Sequence, residues 1–191
     1  MEHFQHWASL LKRKLQGWLK LPYILIFLGF ALISFGGINY YRVRILSFSK
    51  VPEAAAKSTE NSDIPVEIII PSVEIDLPVE AGQIKDGVWL TSDSAATFLN
   101  TSTVPGSGGN TVIYGHNKKV ILGNLPYLSL GQKIMVKTQS GKIHTYEVFQ
   151  KDFVGPDRVD LVSPTSSAEL TVYTCWGLFD SQRVVVKARP V

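Results

Sequence analysis

From Glu169 to Ala188 the chain reads ELTVYTCWGLFDSQRVVVKA. Both ends of this stretch alternate with the two-residue period of a strand, and Trp176 and Gly177 open the connection between them. On Glu169 to Cys175, Leu170, Val172 and Thr174 share one face, while Thr171, Tyr173 and Cys175 share the other, more polar one. On Gln182 to Ala188, Val184 and Val186 look inward, and Arg183, Val185 and Lys187 take the other side. If the two runs pair, Arg183 lies beside Cys175. A fixed cation there favours thiolate over thiol and can donate hydrogen bonds to an oxyanion. Cys175 ends its strand facing a loop, a position where a thiol is both held and reachable. Taken alone, Cys175 reads equally well as a buried core residue, and Arg183 as a solvated charge on a strand face.

Upstream the texture is the same, with short runs rich in Val, Ile, Tyr and Thr separated by Gly, Pro, Asn and Asp. The candidate strands are Val66 to Ile70, Val73 to Leu77, Asn110 to Tyr114, Lys133 to Thr138 and Ile143 to Lys151, besides the two above. Ser92 to Asn100 (SDSAATFLN) is predicted as one short helix, and Lys119 to Leu128 as another turn or two. Seven or eight strands in the last two thirds of the chain predict an all-β closed barrel or sandwich, and closure removes exposed sheet edges.

The third chemical group is His116, in TVIYGHN at Thr111 to Asn117, directly after a β run and a glycine expected to let the backbone turn sharply. Its unperturbed pKa, about 6.5, suits proton transfer near neutrality. His3 and His6 precede the apolar segment described below, and His144 sits mid-strand. One Cys with one suitable His is too few ligands for zinc. The glycine-rich Pro105 to Asn110 lacks the Gly-Lys-Ser/Thr ending of a phosphate loop and precedes a strand, so it reads as a turn.

The 191 residues leave room for one domain and an attachment device, and 45% hydrophobic content excludes bulk disorder. Net charge is +3, from +6 over residues 1–50 and −3 over residues 51–191. A slightly acidic folded part argues against a nucleic-acid module. A single cysteine excludes an intramolecular disulfide. Leu21 to Ile38 runs without a charge between Lys12, Arg13, Lys14 and Lys20 on one side and Arg42 and Arg44 on the other. Asn39, Tyr40 and Tyr41 can extend it into the interface. It is read as a transmembrane helix over 21–41, preceded by a basic flank over 1–20. Asn, Tyr, Tyr and Arg after Ile38 make a poor signal-peptide cleavage site, which favours an uncleaved anchor. The denser positive cluster before the helix places that end inside and the C-terminal domain outside the cell membrane. Residues 42–63 are read as a tether, small and polar from Lys50 to Asp63, and 64–191 as the folded domain.

Together these features resemble the sortases, a family of membrane-anchored cysteine transpeptidases. The resemblance rests on the N-terminal anchor, the β domain, Tyr-Gly-His-Asn at Tyr114 to Asn117, Leu-Thr-Val-Tyr-Thr-Cys at Leu170 to Cys175, and an Arg eight residues after the Cys. It covers about Ile64 to Val191. It implies an eight-stranded β-barrel whose groove takes a sorting signal similar to Leu-Pro-x-Thr-Gly near the C-terminus of an exported protein. By the same resemblance Cys175 attacks the carbonyl before the scissile bond and forms a thioacyl enzyme. His116 protonates the departing amine and deprotonates the incoming one, Arg183 holds the substrate backbone and oxyanion, and Thr174 contributes to the oxyanion site. The acceptor is an amine of a cell-wall precursor or a pilin lysine. Specificity falls to the loop before the Cys strand, Val154 to Ala168. No cofactor and no required metal are expected, with Asp152, Asp157 and Asp160 read as ordinary loop acids although some sortases bind calcium. The rival enzyme class, the L,D-transpeptidases, places His-Gly before the Cys and Arg two residues after it, a pattern absent here. The non-enzymatic rival is a membrane-tethered β domain for adhesion or scaffolding, with Cys175 in its core.

Overall fold

The computed structural model describes residues 21–38, 63–82, 84–85 and 88–191, which fall into two units. In the first, Leu21–Ile38 forms one helix of 18 residues, long and apolar enough to cross a membrane. The expected basic flank, the extension to residue 41 and the tether up to residue 62 lie outside the described residues.

The second unit is built from β1 (Pro65–Ile70), β2 (Ile75–Gly82), β3 (Ile84–Lys85), β4 (Val88–Trp89), β5 (Ala96–Leu99), β6 (Asn110–Gly115), β7 (Lys133–Thr138), β8 (Ile143–Val154), β9 (Glu169–Trp176) and β10 (Gln182–Pro190). Eight of these strands close a barrel in the order β1-β2-β5-β6-β9-β10-β8-β7, and β3 pairs with β4 in a separate small sheet. The predicted all-β closed barrel is therefore observed. Two of its pairings, β2 with β5 and β6 with β9, are parallel, and the others are antiparallel.

Two local expectations change and one holds. The helix predicted over Ser92 to Asn100 is instead a bend followed by β5, all four of whose residues are buried. Ala-Ala-Thr-Phe-Leu has no strong preference of its own, and pairing with β2 on one side and β6 on the other outweighs it. Lys119 to Leu128 holds turns and a 3₁₀ turn at Leu125–Tyr127. The strand expected from Val73 starts at Ile75, after a 3₁₀ turn at Pro71–Val73 that ends with Glu74 in the left-handed region. Among the described residues of this unit every helical element is a short 3₁₀ turn.

Asp63, expected to be the last residue of the tether, belongs to the folded unit. Its carboxylate accepts hydrogen bonds from Thr138 Oγ1 (2.8 Å), Ser140 N (2.8 Å) and Ser140 Oγ (2.7 Å), closing the β7–β8 turn.

The barrel interior is filled by Ile68, Phe98, Ile113, Leu170, Val172, Val184 and Val186 among others, which matches the inward faces expected for β9 and β10. The outer face of the same strands is also buried. Trp89, Tyr114, Leu161, Val162, Tyr173, Cys175 and Val185 form a second apolar cluster there. Tyr114 stacks on Tyr173 (centroids 5.3 Å apart, planes 9° apart), and Trp89 meets both rings edge-on. The connection from β8 to β9 supplies the cover, with Leu161 and Val162 in a 3₁₀ turn at Val159–Val162. Asn110 holds it down. Its amide donates to the carbonyls of Leu161 (3.4 Å) and Ser163 (3.0 Å) and its oxygen accepts from Thr171 Oγ1 (2.8 Å).

Burying an amide unpaired costs about 1–3 kcal/mol, and here removing it also strips partners from two carbonyls and a hydroxyl. Asn110→Ala is expected to lower unfolding stability by at least about 2 kcal/mol in denaturant titration. It should also speed amide exchange at Leu161 and Ser163 before the rest of the barrel.

Candidate active site

The register of three neighbouring strands fixes the site. β9 and β10 run antiparallel with Cys175 opposite Arg183, as their alternation predicts. β6 runs parallel to β9 with Gly115 opposite Thr174, so the chain leaves β6 at His116 next to the position of Cys175. The three groups expected from the sequence thus come from residues 116, 175 and 183 to one end of one strand triplet.

Gly115 acts differently from the expectation of a sharp backbone turn. Its φ is not in the left-handed region. A Cβ there would stand 3.0 Å from Ile121 Cγ2 and 3.2 Å from Leu122 Cδ1, so the glycine provides room for the following turns to pack on the end of β6. Thr174 Oγ1 donates to the Gly115 carbonyl at 2.9 Å and ties the residue before Cys175 to the residue before His116.

Cys175 is 2% exposed and Arg183 3%, so the face expected to be polar and reachable is a covered one. Burial pushes the Cys175 thiol up to about 12; the Arg183 charge pulls it down and the Asp180 charge pushes it further up. A thiol in that state is almost wholly protonated near pH 7, so burial outweighs the expected pull of Arg183 toward thiolate. Arg183 Nη1 donates to the carbonyls of Asp180 and Gln182, each at 2.9 Å, which pins its guanidinium beside the β9–β10 connection.

That connection is strained. Gly177 (φ 81°) is followed by Phe179 and Asp180 at φ 53° and 55°, two consecutive non-glycine residues in the left-handed region. It carries Leu178 and Phe179 into solvent, both 78% exposed. Trp176, at the end of β9, meets Phe153 of β8 edge-on at 6.0 Å.

His116 is partly exposed, its side chain at 22%. Nε2 lies 3.1 Å from Thr91 Oγ1 and 3.8 Å from Asp93 Oδ1, and Lys118 Nζ lies 2.9 Å from that same carboxylate oxygen. Partial burial lowers its pKa, and so does Lys118; the charges of Asp93 and Asp180 act in the opposite sense. Beside Thr91 opens a cleft of about 170 Å³ lined by Glu80, Leu90, Thr91, Ser92 and Thr97. Thr91, Asp93 and Asp180 were not singled out by sequence reasoning. A Thr just before an expected helix, an Asp in its first turn and an Asp in a connecting loop carry no signal until the fold brings them to the imidazole and thiol.

His144 pairs with Val136 across the β7–β8 hairpin, close enough to Asp63 to lower its pKa, and takes no part in this arrangement. Of the acids expected in loops, Asp152 lies instead within β8 opposite Val185, where it accepts from Gln150 Nε2 (2.6 Å), and Asp160 takes two hydrogen bonds from Arg158 (2.9 and 2.8 Å).

A closed barrel with a cysteine, a histidine and an arginine gathered at the end of a parallel-antiparallel strand triplet defines a thiol-bearing β-barrel class. Residues 68–191 match the sortase domain model. Over 138 residues the chain is 30% identical to sortase A of Bacillus anthracis, covering 70% of this chain and 63% of that relative's length. A lid mutant of sortase A from Corynebacterium diphtheriae superposes with a TM-score of 0.57 at 26% identity, covering 69% of this chain and 73% of the other. Sortase C of Clostridium perfringens, solved with the C-terminal cell wall sorting motif, gives 0.57 at 21% identity, covering 68% and 71%. The chain belongs to the sortase family.

Because the thiol pKa stands at about 12, the thiolate fraction rises about tenfold per pH unit throughout the neutral and mildly basic range. Alkylation of Cys175 by iodoacetamide, followed by mass spectrometry, is therefore expected to accelerate without a plateau from pH 7 to 10. Asp180→Asn removes a charge that opposes the thiolate and keeps a residue that tolerates positive φ, so it should alkylate faster than wild type at every pH in that range. A plateau near pH 8 would contradict the assignment.

Proposed function

We propose that this sortase is a membrane-anchored cysteine transpeptidase, held in the cell membrane by Leu21–Ile38 with its barrel on the extracytoplasmic side. It cleaves a short sorting signal similar to Leu-Pro-x-Thr-Gly near the C-terminus of an exported protein. It then joins the new acyl end to an amine of a cell-wall precursor or a pilin. The observation that carries this reading is the shared register of β6, β9 and β10, which gathers His116, Cys175 and Arg183.

An amide is a poor electrophile with a poor leaving group, so its cleavage needs a strong nucleophile, a proton donor and charge stabilisation. In the first step the Cys175 thiol gives its proton to His116 as the sulfur attacks the carbonyl carbon, and the oxygen takes up negative charge against the Arg183 guanidinium. The C–N bond then breaks as His116 hands a proton to the departing nitrogen, leaving a thioester. In the second step the acceptor amine attacks that thioester and gives a proton to His116, and the Cys175 sulfur leaves. Water in place of the amine makes the reaction hydrolysis.

Thr174 serves as a positioning residue. Its single hydroxyl proton is donated to Gly115 at 2.9 Å, so the expected help to the oxyanion is indirect, through the spacing of His116 and Cys175. With the thiol near 12 and the imidazole below its usual value, thiol and imidazole are both neutral at rest. The reactive thiolate-imidazolium pair is a small minority that the bound peptide must trap. The exposed Leu178 and Phe179, in the connection that follows the thiol's strand, offer apolar surface to the signal peptide.

The test uses the full chain in detergent micelles with a library of fluorogenic sorting peptides and triglycine as acceptor. Cys175→Ala is expected to abolish product. His116→Ala and Arg183→Ala should each lose about 10²–10⁴-fold in kcat/KM. Undiminished turnover by the His116 variant would remove it as proton carrier.

A further inference from the structure

The turn that follows β4 was read from sequence only as the start of a helix, yet it delivers two polar side chains to His116. Ser92 builds the turn, its backbone N–H donating to the buried Thr97 Oγ1 at 3.1 Å and its own Oγ accepting from Ser94 N (3.3 Å) and Ala95 N (3.2 Å). Both flanks of Ser92 are thereby fixed. Thr91 on one side sets its hydroxyl 3.1 Å from His116 Nε2, and Asp93 on the other sets a carboxylate oxygen 3.8 Å from the same nitrogen.

We propose that Thr91 and Asp93 are positioning residues for His116, holding its proton on Nε2 and tuning the imidazole's proton affinity against Lys118. This rests on the reading of His116 as the proton carrier. A neutral imidazole has one N–H, and a threonine hydroxyl either donates or accepts, so Thr91 alone does not choose the tautomer. A carboxylate only accepts, so the Asp93 oxygen beside Nε2 favours the proton there. Nδ1 is then the lone pair left for proton exchange.

Lys118 makes the arrangement adjustable. Its ammonium shares the Asp93 oxygen at 2.9 Å, offsetting part of that charge, and acts on the imidazole as a like charge. The charged groups acting on His116 are thus Lys118 from its own turn, Asp93 from the β4–β5 segment and Asp180 from the β9–β10 connection, while the β6–β9 and β9–β10 registers set Cys175 and Arg183 at the same end of the sheet. Asp93 is 90% exposed, so its effect is modest and reduced by salt.

Two variants should move His116 in opposite directions. In the full chain in detergent, with histidines labelled by ¹⁵N, Asp93→Asn is expected to lower the His116 titration midpoint and increase the Nδ1–H tautomer. Lys118→Gln is expected to raise the midpoint. Transfer at pH 7 should fall about threefold in Asp93→Asn, recover in Asp93→Glu, and lose its deficit in 0.5 M salt as wild type converges on the variant. Thr91→Val should shift the tautomer while leaving the sign of the Lys118 effect unchanged. A His116 midpoint and tautomer unmoved by both charge variants, or Asp93→Glu no better than Asp93→Asn, would overturn the proposal. If the midpoints move as stated while the wild-type chain transfers no peptide, the coupling stands and the transpeptidase reading fails.

Discussion

Six residues of β6 lie parallel to six of β9, from Asn110 opposite Glu169 to Gly115 opposite Thr174, and the rest of the molecule depends on that alignment. A parallel pair sends both chains out of the sheet at the same end, so the residues that follow, His116 and Cys175, become neighbours without being close in sequence. The antiparallel return through β10 then brings Arg183 opposite Cys175. A slip of one residue in either pairing would turn the thiol or the guanidinium to the other face of the sheet. The register is guarded on both faces, by the barrel interior on one side and by the Trp89, Tyr114 and Tyr173 cluster on the other.

The double burial has a chemical consequence. A thiol at the rim of an exposed strand would titrate near its ordinary value, but Cys175 is buried in one cluster with Leu161, Val162 and Val185, and burial holds it neutral. The Arg183 charge counters that effect without cancelling it, because burial is the larger influence on the thiol. A protonated resting cysteine oxidises more slowly than a thiolate would.

Much of this was legible in the residues. Alternation in Leu170 to Cys175 and Gln182 to Ala188 assigns the faces of β9 and β10 and sets Arg183 beside Cys175, and Tyr-Gly-His-Asn marks the end of β6. Alternation says which side chains share a face but not what covers them, so Thr171, Tyr173 and Cys175 read as a polar, reachable surface when they are buried. β5 was hidden because its four residues have no pattern of their own and gain strand structure from two neighbours. Thr91, Asp93 and Asp180 were hidden for the same reason at the level of the site: each is an unremarkable loop residue until folding sets it near an imidazole or a thiol.

The account's central claim is that this one sulfur carries the acyl group. Acid-quenching the full chain during turnover of a sorting peptide, then mapping intact and peptide masses, tests it directly. The account predicts an adduct of the peptide's acyl part on Cys175 alone, discharged by hydroxylamine; turnover with the acyl group on another residue, or with no covalent adduct at any time point, would contradict it.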